Sequence, residues 1–279
     1  MIPSAEVLLY RTEMMGTAAT VPGMDLVVAA TPGTWRVPTY PQLADAKACA
    51  TAALSDVGDW PVSDRLAAYY ELRGNYAGAS FTQLQDAHRS SADSRRITVA
   101  DLHAVSLLSV RVPPAVTRAL IDNIDGHTTK VNGALAALDN LGVRHLRDAG
   151  PDALQAMDGV ATALMAACRR RGTKSTSNPW AWVLVSKIAA RKAPDLFPVR
   201  DSIVCTALGL IGRGKPQGTW RIDWQVYRAL LLDNDVRSAI IAAQDGLADR
   251  TRADYGREQD ELRVLDAALW TYEIWRMDA

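Results

Sequence analysis

The sequence predicts an all-α protein, and three observations lead to this fold class. Apolar residues recur at helical spacing over most of the chain after residue 43. Capping residues or prolines stand before many of these segments, and glycine ends several of them. No segment alternates apolar and polar residues convincingly enough to predict a set of strands. The chain has 279 residues, of which 48% are hydrophobic and 22% charged, and this length is sufficient to bury a sizeable core.

Residues 1–43 are predicted to form an irregular N-terminal arm. They contain five prolines and three glycines, which interrupt regular secondary structure. One short strand is expected within the arm, at residues 25–30. Residues 44–279 are expected to form the helical domain.

The first half of the helical domain carries several helix start signals. Residues 44–56 are rich in alanine, which has the highest helix propensity. Thr98 and Asp101 have the spacing of a capping box, and Pro114 suits the first turn of a helix. The helices expected up to residue 141 are 44–56, 62–73, 99–109, 114–125 and 127–141.

The second half contains the strongest start signal of the chain. Asn178 provides a capping side chain, and Pro179 follows at the first helical position. An earlier helix is expected to begin near Pro151 and to end in the arginines at 169–171. The later helices expected are 179–192, 202–210, 223–232, 235–248 and 257–277.

Composition and sequence pattern argue against several classes of protein. No apolar run approaches the roughly 18 residues that cross a bilayer, and the first ten residues lack the basic start of a signal peptide. The three cysteines lie far apart, which argues against a disulfide framework or a metal site and fits a reducing cytoplasm. No glycine-rich nucleotide-binding motif occurs. We therefore expect a cytoplasmic protein with no cofactor, no bound metal and no membrane partner.

Basic residues are concentrated in one part of a chain that has 31 basic and 31 acidic residues in total. Residues 165–215 contain ten basic and two acidic residues. The basic ones are Arg169, Arg170, Arg171, Lys174, Lys187, Arg191, Lys192, Arg200, Arg213 and Lys215. This concentration predicts a polyanion-binding patch on an otherwise acidic body. The alternative is an ordinary solvated helix with its loops.

Asp201 is the candidate catalytic residue. It stands directly before the predicted helix 202–210, where backbone N–H groups and the helix dipole favour an ionised carboxylate. An ionised carboxylate can stabilise an oxocarbenium-like sugar or orient a water, as cleavage of a glycosidic bond requires. The alternative is that Asp201 serves only as a helix cap.

Residues 178–210 resemble the end of the helix–hairpin–helix signature of DNA glycosylases. The match consists of Phe197, Pro198, Val199 and Asp201, followed by an apolar helix. The resemblance implies a two-lobed helical bundle that binds duplex DNA and extrudes a damaged or modified base. It also implies that Asp201 promotes hydrolysis of the N-glycosidic bond.

The same comparison suggests how DNA would be held. Lys187, Arg191, Lys192 and Arg200 bracket Asp201 in the sequence and are expected, with the basic residues at 169–174, to meet DNA phosphates. Trp180, Trp182 and Phe197 are candidates for a base pocket, because an extruded base can stack on an aromatic ring. Core packing is the alternative for these aromatic residues.

The sequence departs from the glycosylase pattern at the hairpin. The signature has glycines where the backbone approaches a phosphate, whereas residues 178–182 read NPWAW. No lysine occupies the position that serves bifunctional enzymes, and the spacing from Pro198 to Asp201 is one residue longer than usual. The pattern therefore predicts a monofunctional glycosylase or a relative that has lost the chemistry.

Three longer runs, at 97–114, 186–204 and 262–270, resemble an uncharacterised actinobacterial family. This resemblance covers roughly residues 95–279. It supports the fold, but it implies no particular activity. Two alternatives to a glycosylase consequently stay open. One is a non-enzymatic DNA-binding module on the same scaffold, and the other is a helical module whose basic patch binds a protein partner.

Overall fold

A computed structural model describes residues 19–20, 27–28, 32, 35–70, 77–81, 95–168, 179–211, 220–250 and 261–278. In these ranges the regular structure is helical apart from one short antiparallel pair, β1 (Ala19–Thr20) and β2 (Val27–Val28). The all-α prediction is therefore confirmed. The strand expected at 25–30 is present as β2.

Most helix boundaries agree with the predicted ones to within a few residues. The helices are α1 (Tyr40–Ala53), α2 (Val62–Tyr70), α3 (Val99–Ser106), α4 (Pro114–Ile121), α5 (His127–Asn140), α6 (Pro151–Cys168), α7 (Pro179–Lys192), α8 (Ser202–Ala207), α9 (Trp220–Leu232), α10 (Asn234–Arg250) and α11 (Glu261–Asp278). Helix α1 begins inside the predicted arm, because a proline at position 41 is tolerated in a first turn. The division at residue 43 otherwise stays a prediction.

Local signals explain where individual helices begin. The predicted capping box is present at α3: the Asp101 N–H donates to Thr98 Oγ1 at 3.2 Å, and the Thr98 N–H donates to Asp101 Oδ2 at 2.9 Å. In α11, Leu262, Leu265 and Leu269 are fully buried, and Val264, which lies outside their helical spacing, is fully buried as well. The sequence pattern thus accounts for helix starts, whereas burial in the last helix extends beyond one face.

The helices pack as two groups around one continuous hydrophobic core. In one group α6 contacts α4, α5 and α7, and α3 lies against α7. In the other α1, α2, α10 and α11 contact one another, with α9 against α1 and α10. A cavity that contains Asp201 lies where α7 and the segment that follows α3 approach α2 and α11. The finer expectation of two glycosylase-like lobes stays a prediction.

Within the part of the chain that the structure describes, no helix combines the length and apolarity needed to cross a membrane.

Candidate functional site

Two basic residues at the end of α7 share one buried carboxylate. Lys192 Nζ donates to Asp101 Oδ2 at 2.9 Å, and Arg191 Nε lies 3.4 Å from Asp101 Oδ1. Arg191 also donates from Nη1 to the Phe81 carbonyl at 2.8 Å. Because Asp101 belongs to the capping box of α3, this cluster ties the end of α7 to the start of α3.

Arg200 is also paired inside the protein. Its Nη1 lies 3.3 Å from Asp223 Oδ2, and both side chains are 6% exposed. Burial raises the pKa of Asp223 to about 7, although the positive charge of Arg200 acts in the opposite direction. The guanidinium of Arg200 is therefore directed at α9 rather than at solvent.

These contacts correct the predicted phosphate-binding surface at four of its positions. Lys187, Arg191, Lys192 and Arg200 are each 7% exposed or less, so none of them presents a charge to a DNA backbone. These residues were grouped because they bracket Asp201 in the sequence, but their partners are buried carbonyl and carboxylate oxygens, which need donors. The remaining predicted positions, Arg169, Arg170, Arg171 and Lys174, lie outside the described residues.

The predicted base pocket is corrected as well. Trp182 lies with its ring centroid 3.7 Å from that of Trp220, and Phe197 is 1% exposed and meets Trp224 edge to face at 5.5 Å. Together with Arg200 these rings line a cavity of about 20 Å³, which we call the tryptophan cavity. Asp201 does not line it. The side chain of Trp180 lies outside the described residues.

Asp201 is the N-cap of α8. Its Oδ1 accepts a hydrogen bond from the Ile203 N–H at 2.9 Å, with extended backbone at the cap itself (φ −116°, ψ 143°). Within the described part of the chain, no donor contacts the second oxygen, Oδ2. The carboxylate is half-buried. Asp201 therefore performs the capping role that the sequence predicts and keeps one oxygen available.

Asp201 also lines a second and larger cavity, of about 120 Å³, which we call the Asp201 cavity. One water needs about 10–15 Å³ of such space, so this volume holds several. Four aromatic side chains contribute to its wall, namely Tyr69, Tyr70, Phe81 and Trp270. A carboxylate and aromatic rings thus share one concave site, which is the usual form of a small-molecule or base-binding pocket.

The aromatic wall has a defined geometry. Tyr69 meets Tyr70 edge to face at 4.8 Å and 84°, and meets Trp270 at 5.8 Å and 63°. The Tyr70 hydroxyl donates to the Arg263 carbonyl at 3.1 Å, which joins the end of α2 to α11. Edge-to-face contacts and this hydrogen bond hold the rings in place, so the wall is formed before any ligand enters.

Lys187 enters the same cavity from α7. Its Nζ donates to the Leu108 carbonyl at 2.7 Å. Burial lowers the pKa of Lys187, while the nearby charge of Asp201 opposes this shift. Lys187 and Asp201 therefore interact electrostatically inside one cavity, although the described contacts include no direct ion pair between them.

Asp266 positions the segment that carries Asp201. Its Oδ2 accepts hydrogen bonds from the Val199 N–H at 2.9 Å and lies 2.7 Å from Arg263 Nη2. Burial raises the pKa of Asp266, and Arg263 acts against that shift. Because Val199 is two residues before Asp201, the contact fixes the approach of the chain to the cavity.

Sequence reasoning did not assign Tyr69, Tyr70, Asp266 or Trp270 to the site. A signal for Asp266 existed: it is an acidic residue among the apolar positions of the last predicted helix. The two tyrosines at the end of α2 gave no such signal, because aromatic residues at helical spacing are typical of cores. Their place beside Asp201 depends on how α2 and α11 pack.

The chain belongs to a family of unknown function, DUF6308, whose model matches residues 62–273. The comparison with curated proteins and the comparison with solved structures gave no match. The family match agrees with the predicted membership of an uncharacterised family. It carries no information on a glycosylase resemblance or on an actinobacterial origin.

Proposed function

We propose that this protein hydrolyses the N-glycosidic bond of a damaged or modified base that is extruded from duplex DNA into the Asp201 cavity. The observation that carries the proposal is the position of the Asp201 carboxylate in a cavity walled by aromatic rings. The resemblance of residues 197–201 to the glycosylase signature supports the same choice of Asp201.

The proposed role of Asp201 follows from its two oxygens. Oδ1 is fixed by the Ile203 N–H, which orients the carboxylate without using Oδ2. A negative charge in that position stabilises the oxocarbenium-like sugar that forms as the base leaves, or it orients the attacking water. The base itself is held by stacking on the rings contributed by α2 and α11.

The burial of four predicted phosphate contacts limits where DNA would be gripped. In this proposal the contacts come from the basic residues 169–174, which precede α7 in the sequence. Binding that depends on phosphate neutralisation weakens steeply with salt. The salt dependence of duplex affinity is therefore the direct measurement of this part of the proposal.

The deciding experiment measures base release from duplexes that carry a panel of damaged and modified bases. Abasic sites are revealed by alkali cleavage, and wild type is compared with Asp201→Asn. Asparagine caps a helix about as well as aspartate, so this variant keeps α8 and removes the charge. We expect the rate to fall about 10²- to 10⁴-fold. Asp152→Asn, an exposed position in the first turn of α6, is the matched control and should retain the wild-type rate.

Other outcomes separate the alternatives. Salt-sensitive duplex binding without base release from any substrate would favour the non-enzymatic DNA-binding module. If the protein neither binds a duplex nor releases a base, the results would favour the helical protein-interaction module. Equal rates for wild type and Asp201→Asn would remove Asp201 from the mechanism.

A further inference from the structure

Lys187 has hydrogen-bonding capacity that its protein contacts do not use. A lysine ammonium has three N–H donors and no acceptor. Among the described residues one donor is used, in the bond to the Leu108 carbonyl. The side chain is 5% exposed and lines the Asp201 cavity. The remaining donors are therefore shielded from bulk water at a place where a ligand would lie.

Two further observations indicate that this end of the cavity is built around Lys187. The Leu108 carbonyl that it binds precedes Ser109, a cavity residue in the left-handed region at φ 58°. A non-glycine residue in this conformation is strained. Lys187 thus fixes the backbone next to a strained residue at the cavity wall, while its own position in that wall is set by α7.

We propose that Lys187 selects the base, so that the Asp201 cavity takes a planar ring whose facing edge carries a carbonyl oxygen. This inference rests on the proposed function. A carbonyl accepts from the free N–H donors, whereas an exocyclic amino group would place donor against donor and leave the Lys187 donors without that partner. The substrate class is therefore a lactam-type base, such as uracil or hypoxanthine, and the amino-bearing counterparts cytosine and adenine are rejected.

Two pairs of bases isolate the effect of one edge. Hypoxanthine carries a carbonyl oxygen beside a ring N–H where adenine carries an amino group beside an acceptor ring nitrogen, and uracil and cytosine differ in the same way, so each pair compares one whole edge rather than a single atom. Calorimetry with the full-length protein measures the affinity for each free base, and single-turnover assays measure its release from a duplex. We expect wild type to favour hypoxanthine and uracil by about 10- to 100-fold, the factor that a hydrogen bond to a charged group contributes.

Variants at position 187 test whether the preference comes from the lysine. Lys187→Met removes the donors at similar length and should bind both members of each pair within about threefold. Lys187→Arg retains donors only and should restore part of the preference. Lys187→Gln both donates and accepts, so it should also bind both members similarly, which provides a second test if the methionine variant does not fold. Lys130→Met, an exposed lysine on α5, is the control and should behave as wild type.

The outcomes distinguish this inference from the proposed function. Equal wild-type affinity within each pair, no binding of any base, or a preference that survives in Lys187→Met would overturn it. A Lys187-dependent preference among free bases, without release from any duplex, would support selection by the cavity and refute the glycosylase proposal. Release of both members of each pair at equal rates would overturn the selection and leave the proposed function standing.

Discussion

The Asp201 cavity and the tryptophan cavity lie on two sides of one short segment, residues 197–201, and they differ in what they offer a ligand. Val199 contributes to both walls, Arg200 to the tryptophan cavity and Asp201 to the larger one. The tryptophan cavity has about 20 Å³ of space and the Asp201 cavity about 120 Å³. Two adjacent charged residues thus enter different environments.

The difference shows what separates a structural charge from a candidate functional one. Arg200 and Asp223 face each other at 3.3 Å, in a space with room for about one water. Asp201 is held by a single backbone N–H and keeps an oxygen toward a space that holds several waters. Unused hydrogen-bonding capacity alone does not separate the two sites, because Nη1 and Nη2 of Arg200 and both carboxylate oxygens of Asp223 also lack a hydrogen-bond partner among the described residues. The adjacent volume separates them, and it makes Asp201 the candidate for contact with a ligand.

The first prediction contrasts the carboxylates of the two cavities by their effect on stability. Asp223→Ala leaves the Arg200 guanidinium buried without its partner, and we expect the free energy of unfolding to fall by about 3–5 kcal/mol. Asp201→Asn keeps the cap of α8 and should change it by less than about 1 kcal/mol. Urea or guanidinium titrations measure both. Similar losses of unfolding free energy in the two variants would contradict this difference between the two carboxylates.

The second prediction contrasts the aromatic residues of the two cavities by their effect on ligand affinity. Trp270→Leu removes a ring from the Asp201 cavity and should weaken base binding by about 1–3 kcal/mol, the usual contribution of one stacked ring. Trp182→Leu acts on the tryptophan cavity and should leave affinity within about twofold. Calorimetry with the base that binds wild type most tightly measures both. A larger loss of affinity in Trp182→Leu than in Trp270→Leu would show that the ligand binds in the tryptophan cavity and would contradict the prediction.

The third prediction concerns the pH dependence of stability. Burial raises the pKa of Asp223 to about 7, from an ordinary value near 3.8, so between these values the folded state binds the proton more tightly than the unfolded state. Stability from this residue is therefore fully present below about pH 4 and is lost as pH rises through about 7. The unfolding free energy of wild type minus that of Asp223→Asn, measured from pH 4 to 8, should become less positive or more negative as pH rises. A constant difference would show that Asp223 does not titrate in this range.

Helix positions were predictable because their signals are local. The capping box of Thr98 and Asp101 and the proline at 179 act within one turn, and both mark helix starts in the structure. The cap at Asp201 belongs to the same class of signal, which explains why the sequence identified this residue as a candidate.

The environment of the basic residues was not predictable in this way. Spacing places Lys187 and Arg191 on one side of α7, but a pattern of charges does not state whether that side faces solvent or buried oxygens. Asp101 is 91 residues away from Lys192, and Asp223 is 23 positions after Arg200 in the chain. Pairing across such separations is set by how helices pack. The sequence therefore predicted a phosphate-binding surface for residues whose ion pairs are buried in the structure.

The sequence by itself thus determined the all-α class, nearly all helix starts and the capping role of Asp201, because each depends on contacts within a few residues. Only the tertiary structure decided that Tyr69, Tyr70 and Trp270 wall the cavity of Asp201, and that Lys187 faces it while Arg200 does not. The physical reason is that a cavity is the space left between helices. Its lining depends on the approach of α2, α7 and α11, which no local periodicity encodes.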